Sequence, residues 1–216
     1  RTFALLAPQQ SFSRFITVSM SRLASPELAV RRRRQILDAA LDCFRRRGFH
    51  QSSMQEICAA ADISAGALYR YFGSKAEIIT AIAEDERRDT SVAFRTPNGS
   101  VVDSLCAVAE GFFRKLAAGD GALVADVLAE ASRDPILARN LALIDKQYVT
   151  ACADMISAGQ VRGEVDPALD PVEAAQTLFA AIEGVGLRAA TFGQTRFDTA
   201  AAHFRGLAER YLAVRT

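Results

Sequence analysis

From residue 25 onward, apolar side chains recur three and four positions apart, and no stretch shows the strict alternation of a strand. That spacing puts them on one face of a helix, so the pattern predicts an all-α protein. Ser25-Pro26 offers an N-cap followed by a proline at the first helical position. Ile36, Leu37, Ala40, Leu41 and Phe44 carry that helix, and Gly48 stops it. Ser53-Met54-Gln55-Glu56 is a capping-box sequence opening a second helix with Ile57, Ala60 and Ala61 on one face. After a short break, Asp62-Ile63-Ser64, the Ser64 hydroxyl is placed to cap a third short helix, with Ile63 and Leu68 as a hydrophobic staple. Ser74-Lys75-Ala76-Glu77 reads as another capping box, and Ile78, Ile79 and Ile82 carry a fourth helix on.

The turn-rich run at 95–100 marks a boundary. Beyond it Val101, Leu105, Val108, Phe112 and Leu116 predict a helix ending near Gly119, and Leu123, Val127 and Leu128 a shorter one. Asp134-Pro135 opens a long helix through Leu137, Ile144, Tyr148 and Met155, ending near Gly159. Pro171 opens another through Leu178, Phe179, Ile182 and Ala189, and Phe204, Leu207, Ala208, Tyr211 and Leu212 mark the last. Three regions follow: an extension over 1–24, expected to be disordered, a small helical domain over 25–90, and a helical bundle over 91–216. Residues 1–19 hold no acid and no clear period, and Met20 is the expected natural start.

Composition narrows the function. The 216 residues are half hydrophobic, enough for a proper core, without the run of about 18 apolar residues a membrane span needs. The four cysteines form no C-x-x-C pair and read as reduced thiols in a cytoplasmic protein. His50 and His203 have no ligand-like neighbours, so no metal and no cofactor are expected. The net charge of +1 conceals an asymmetry: Arg22 to Lys75 holds ten basic and five acidic residues, and the remainder to Thr216 is net acidic. Such a division suits a polyanionic partner for the N-terminal part alone, though two solvated surfaces differing by chance would look the same.

Two short helices joined by a tight turn have the spacing of a helix-turn-helix, here over 53–72, whose second helix fits a DNA major groove. Phe72 then belongs to the core, while Tyr69 and Tyr71 flank an exposed face and can donate to phosphate. Lys75 sits at a helix N-terminus, unfavourable against the helix dipole unless an anion lies close. Ser64, Ala65, Gly66 and Ala67 at the start of the reading helix are small, which leaves Ser64, Arg70, Gln55 or close backbone and methyl contacts to read bases. Ser53 is the remaining candidate at the DNA face. The run of four arginines at 31–34 is either the solvated start of the first helix or an arm reaching phosphates. Arg45, Arg46 and Arg47 read as solvated or ion-paired.

Over residues 30–90 the chain resembles the DNA-binding domain of the tetracycline-repressor (TetR) family. The resemblance rests on "ILDAALDCFRRRGF" and on "SSMQEICAAADISAGALYRYFGSKAEII", with Leu68-Tyr69, Phe72 and Lys75 in the family's spacing. Two positions depart from it: Asp62 stands where the turn usually has glycine, and Tyr71 where histidine is common. Aspartate tolerates the left-handed conformation better than most residues, so the turn is expected to survive. The resemblance implies a homodimeric, ligand-responsive transcriptional regulator, most often a repressor released from a palindromic operator by a small effector.

It further implies that the body encloses an effector pocket and dimerises through its last two helices. Phe112, Phe113, Tyr148, Cys152, Met155, Phe179 and Glu183 are candidates for the pocket, with ordinary core as the competing reading. Leu178, Val185, Ala189, Phe204, Leu207 and Tyr211 are candidates for the dimer interface. The expected partners are double-stranded DNA, a second copy of the chain and an unknown small molecule. An enzyme with an appended helix-turn-helix finds no support, since the sequence has no nucleophile elbow or phosphate loop. A helical regulator or partner-binding module without any effector stays open.

Overall fold

The computed structural model describes residues 26–95, 99–193 and 196–214, and these are helical throughout apart from turns and loops. The extension expected over 1–24, with Met20, lies outside the described residues. Helix α1 spans Pro26–Arg47, α2 Met54–Ala60, α3 Ala65–Tyr69 and α4 Lys75–Arg95. Then come α5 Val101–Lys115, a π-type segment Leu116–Asp120, α6 Gly121–Ala131, α7 Pro135–Val161, α8 Pro171–Phe192 and α9 Phe197–Leu212.

Local chemistry sets most of the helix ends. Gly48 adopts φ +81° and ends α1 in the left-handed region that a side chain rarely enters. The Ser53 hydroxyl accepts from the Glu56 amide while the Glu56 carboxylate accepts from the Ser53 amide, the reciprocal box expected there. The box at Ser74 is different. Its hydroxyl accepts from the Glu77 amide, but the Glu77 carboxylate reaches one residue further back, to the Gly73 amide at 2.7 Å. Ser100 and Asp103 form a further box at α5. Asp134 and Asp170 cap α7 and α8, each ahead of a proline.

The apolar faces close over two cores. The first joins Ile36, Leu37 and Phe44 of α1 to Phe49, Ile57, Leu68, Phe72, Ile78 and Ile79. It also takes in Leu123 and Val127 of α6 and Leu137 of α7, residues far along the chain. The second holds α5, α7, α8 and α9, with Phe94 from the end of α4. Helix α4 thus runs unbroken through residue 90 with one end in each core. One sequence expectation needs correction. Leu128 is exposed, turned about 100° around α6 from the buried Val127. Helix α7 ends at Val161, close to the expected Gly159, which packs so tightly on Val101 that a Cβ there would lie 2.5 Å from its Cγ2.

Candidate nucleic-acid interface and effector body

The turn between α2 and α3 turns on Asp62, the one non-glycine at positive φ among the described residues, at +49°. The backbone there does what glycine does elsewhere, with an aspartate in its place. Ser64 then caps α3, its hydroxyl accepting from the Ala67 amide. Leu68 and Phe72 turn inward and are buried. Ser64, Ala65, Gly66, Tyr69 and Arg70 are left exposed, with Ser53 and Gln55 of the preceding helix; Ala67, Tyr71 and Lys75 are half-buried. A Cβ built on Gly66 meets nothing within 4 Å, so backbone approach from outside is unobstructed there. These are the positions the sequence assigned to DNA, and they lie on or next to the adjoining helices α2 and α3 and at the start of α4.

Beside α3 runs a groove of about 270 Å³, lined by Arg32, Asp62, Ser64, Ala67, Arg70 and Tyr71 among others. Arg32 and Arg70 bring two guanidinium groups to it against one carboxylate, a balance that favours an anion. The four-arginine run divides accordingly. Arg32 donates to the Gln35 side chain at 2.8 Å, and Gln35 donates in turn to the Ala61 carbonyl at 2.6 Å, tying α1 to the turn. Arg33 faces inward, paired with Asp85 at 3.2 Å and lying over the Phe72 ring. Arg34 pairs with Asp38 one turn along. In the sequence Arg32 stands out only as part of the arginine run and Asp62 only as the turn residue; that they share one groove comes from the meeting of α1 with the turn, which no local spacing encodes.

Lys75 is placed differently from the expectation of a lysine held out for phosphate. Its Nζ donates to the carbonyl oxygens of Phe49 at 2.7 Å and His50 at 2.9 Å, and it lies 5.0 Å from the centre of the Phe49 ring. Burial lowers its pKa, with the charge of Glu130 acting the other way. An ammonium has three donors, so two here hold the loop after α1.

In the body, the seven pocket candidates divide by depth. Phe113, Cys152 and Met155 are buried in the second core, and Phe112, Tyr148 and Phe179 pack half-buried against it. Phe112 and Phe113 close on Gly186, where a Cβ would come within 3.0 Å of either ring. Burial pushes the Cys152 thiol up to about 12, leaving it protonated and inert at neutral pH. Phe179 meets both Phe94 and Tyr148 edge-on, with ring centres 6.1 and 6.0 Å apart. Glu183 lies one turn along α8 from Phe179. It is open to solvent along part of its side chain, yet the surrounding protein and, less strongly, Asp145 raise its pKa.

The interface candidates are revised. Leu178, Ala189 and Phe204 are buried within their own chain, so they offer no surface to a second copy. Helical spacing identified them as inward-facing, and the inside they face is the second core. Val185, Leu207 and Tyr211 are half-buried against that core. What α8 turns outward is a row of Ala180, Gly184, Arg188 and Thr191.

Residues 36–82 match the family model for bacterial regulatory proteins of the tetR family, and residues 96–205 match the tetracyclin repressor-like C-terminal domain. The chain belongs to the TetR family. It is a DNA-binding transcriptional regulator. Among its relatives is the HTH-type transcriptional regulator UidR of Escherichia coli, 30% identical over 162 residues that span 71% of this chain and 79% of UidR. Salmonella enterica GusR superposes with a TM-score of 0.73 at 30% identity, covering 88% of this chain and 98% of GusR. The fold is also that of FadR from Bacillus subtilis in complex with stearoyl-CoA, with a TM-score of 0.68 at 22% identity over 85% of this chain and 99% of FadR. No helix among the described residues is long and apolar enough to cross a membrane.

Proposed function

We propose that this TetR-family regulator is a cytoplasmic homodimeric repressor that leaves a palindromic operator when a small molecule binds in its helical body. The observation that carries the reading is the divided face of α3: Leu68 and Phe72 buried below, Ser64, Ala65, Gly66, Tyr69 and Arg70 open above. Residues 25–90 contact DNA, and 91–216 bind the effector and pair the subunits. With small side chains leading α3, Arg70 is the strongest candidate to read a base edge, while Tyr69 and Tyr71 hold phosphates. The outward row of α8, with Ala180 and Gly184, lets a second copy approach closely, which replaces Leu178, Ala189 and Phe204 as the expected contact. Phe94, Tyr148 and Phe179, with Glu183 at their margin, are the favoured effector contacts. The FadR complex supports a small-molecule role for a body of this fold. Two reading helices in successive major grooves would lie about 34–36 Å apart.

Selection from randomised duplex DNA by the purified protein tests this. The expected result is a palindrome bound by a dimer, with a log–log salt slope near −5 if about six phosphates are contacted. Tyr69→Phe should weaken binding to all sequences by about two- to tenfold, the loss of one hydrogen bond, while Arg70→Ala should relax the selected sequence at one position per half-site. Absence of any selected sequence would overturn the reading.

A further inference from the structure

Besides the apolar contacts of Leu123, Val127 and Leu137 in the first core, polar groups far apart in sequence join the end of α1 to the body. Arg45, in the last turn of α1, donates through Nε and Nη2 to the two carboxylate oxygens of Asp120, at 2.5 and 2.9 Å. Four residues on, the Phe49 amide donates to Asp126 of α6 at 3.1 Å. His50 lies 3.7 Å from Glu130 of the same helix. Lys75 also holds this loop, through the Phe49 and His50 carbonyls. The loop is therefore held by both the body and the first residue of α4.

Asp120 is buried, and the segment that carries it packs on α8. It ends the π-type segment, directly after Gly119 at φ +110°. On one side Leu116 packs on Gly186 of α8, where a Cβ would come within 2.7 Å of its Cδ1. On the other, Gly121 packs on Ala190 of α8, where its own Cβ would be 2.7 Å from that methyl group. The stretch that carries Asp120 is thus pressed onto the helix whose outer row is assigned to the dimer. A fork of two parallel hydrogen bonds fixes angle as well as distance.

We propose that Arg45 and Asp120 are positioning residues for operator binding: their paired bonds set the bearing of α1, and with it the reading helix, on α8. The proposal rests on the operator reading above for its consequence, and on the geometry of the pair for its cause. Neither side chain needs to touch DNA. Movement of α8 reaches Asp120 through Leu116 and Gly121, and reaches the recognition end through Arg45. Arg45→Lys keeps the charge and loses the fork.

The test measures affinity for the selected palindrome and for versions with one base pair added or removed between half-sites. Urea unfolding and non-specific DNA binding are followed in parallel. The wild-type protein should discriminate steeply between spacers. Arg45→Lys should remain folded and bind the palindrome about fivefold or more weakly, with a flattened spacer preference. Its non-specific affinity and salt slope should not move. Exchanging the charges, Arg45→Asp with Asp120→Arg, should recover part of the loss that either change alone produces. A folded Arg45→Lys with unaltered affinity and spacer preference would overturn the proposal. Should the wild-type protein select no DNA, spin labels at Gln55 of α2 and Glu209 of α9 decide the matter. With one doubly labelled chain diluted into unlabelled protein, the distance distribution should broaden in Arg45→Lys, and an identical distribution would refute the pair's role.

Discussion

The ammonium of Lys75 and the carbonyl oxygen of Phe49 are 2.7 Å apart, across 26 positions of sequence. A residue expected at the DNA surface thus spends two of its hydrogen bonds on the loop that joins α1 to α2. Lys75→Ala should consequently lower stability as well as DNA affinity, by about 1–2 kcal/mol for the charged hydrogen bonds lost. Urea unfolding without DNA reads the first effect. A variant as stable as the wild type would show that the loop holds without it.

Asp62 combines a left-handed backbone with a negative charge on the groove shared by Arg32 and Arg70. Asp62→Gly should leave the fold equal or up to about 1 kcal/mol more stable, relief of the φ +49° conformation offsetting the extra freedom of the unfolded chain. DNA binding should tighten most at low salt, where the removed charge is least screened. Asp62→Val should do the opposite to stability, since a β-branched residue fits that conformation badly.

Gly186→Ala should overpack the joint between α8 and the π-type segment. The new methyl group would lie 2.7 Å from Leu116 and 2.9 Å from Phe113, both in the second core. Overpacking costs about 1–3 kcal/mol. For a chain of this length that is a fall in Tm of about 2–12 °C, measurable by circular dichroism.

Glu183 carries a raised pKa, caused first by burial and then by Asp145. An acid whose folded pKa lies above its unfolded one binds the proton more tightly when folded. Its ionisation therefore destabilises the fold as pH rises from the ordinary glutamate value, about 4.3, through the folded value. Glu183→Gln should melt higher than the wild type at pH 7, with the difference closing near pH 4. Parallel melting curves across that range would show that the carboxylate is not strained.

Much of this was legible in the sequence because it is local. The caps at Ser53 and Ser64, the inward Phe72 and the unusual Asp62 all follow from neighbours within four residues. The reading failed where the partner lies elsewhere in the chain. Periodicity marked Leu178, Ala189 and Phe204 as buried but could not say against what, and their own core accounts for them. Arg45 reads from the sequence as solvated or ion-paired, and it is ion-paired, but nothing near it in the chain names Asp120. The sequence presents Lys75 only as a lysine at a helix start, whereas the Phe49 and His50 carbonyls in the loop after α1 occupy two of its donors.

Because Leu123, Val127 and Leu137 complete the apolar core that the first four helices share, the helix-turn-helix is not a detachable cartridge. A hybrid regulator made by splicing at the end of α4 would seat a foreign set of α6 and α7 side chains in the core that holds Phe49 and Leu68. Exchange of DNA specificity between relatives should then succeed when the few outward residues of α3 are transplanted, and falter when the whole segment is.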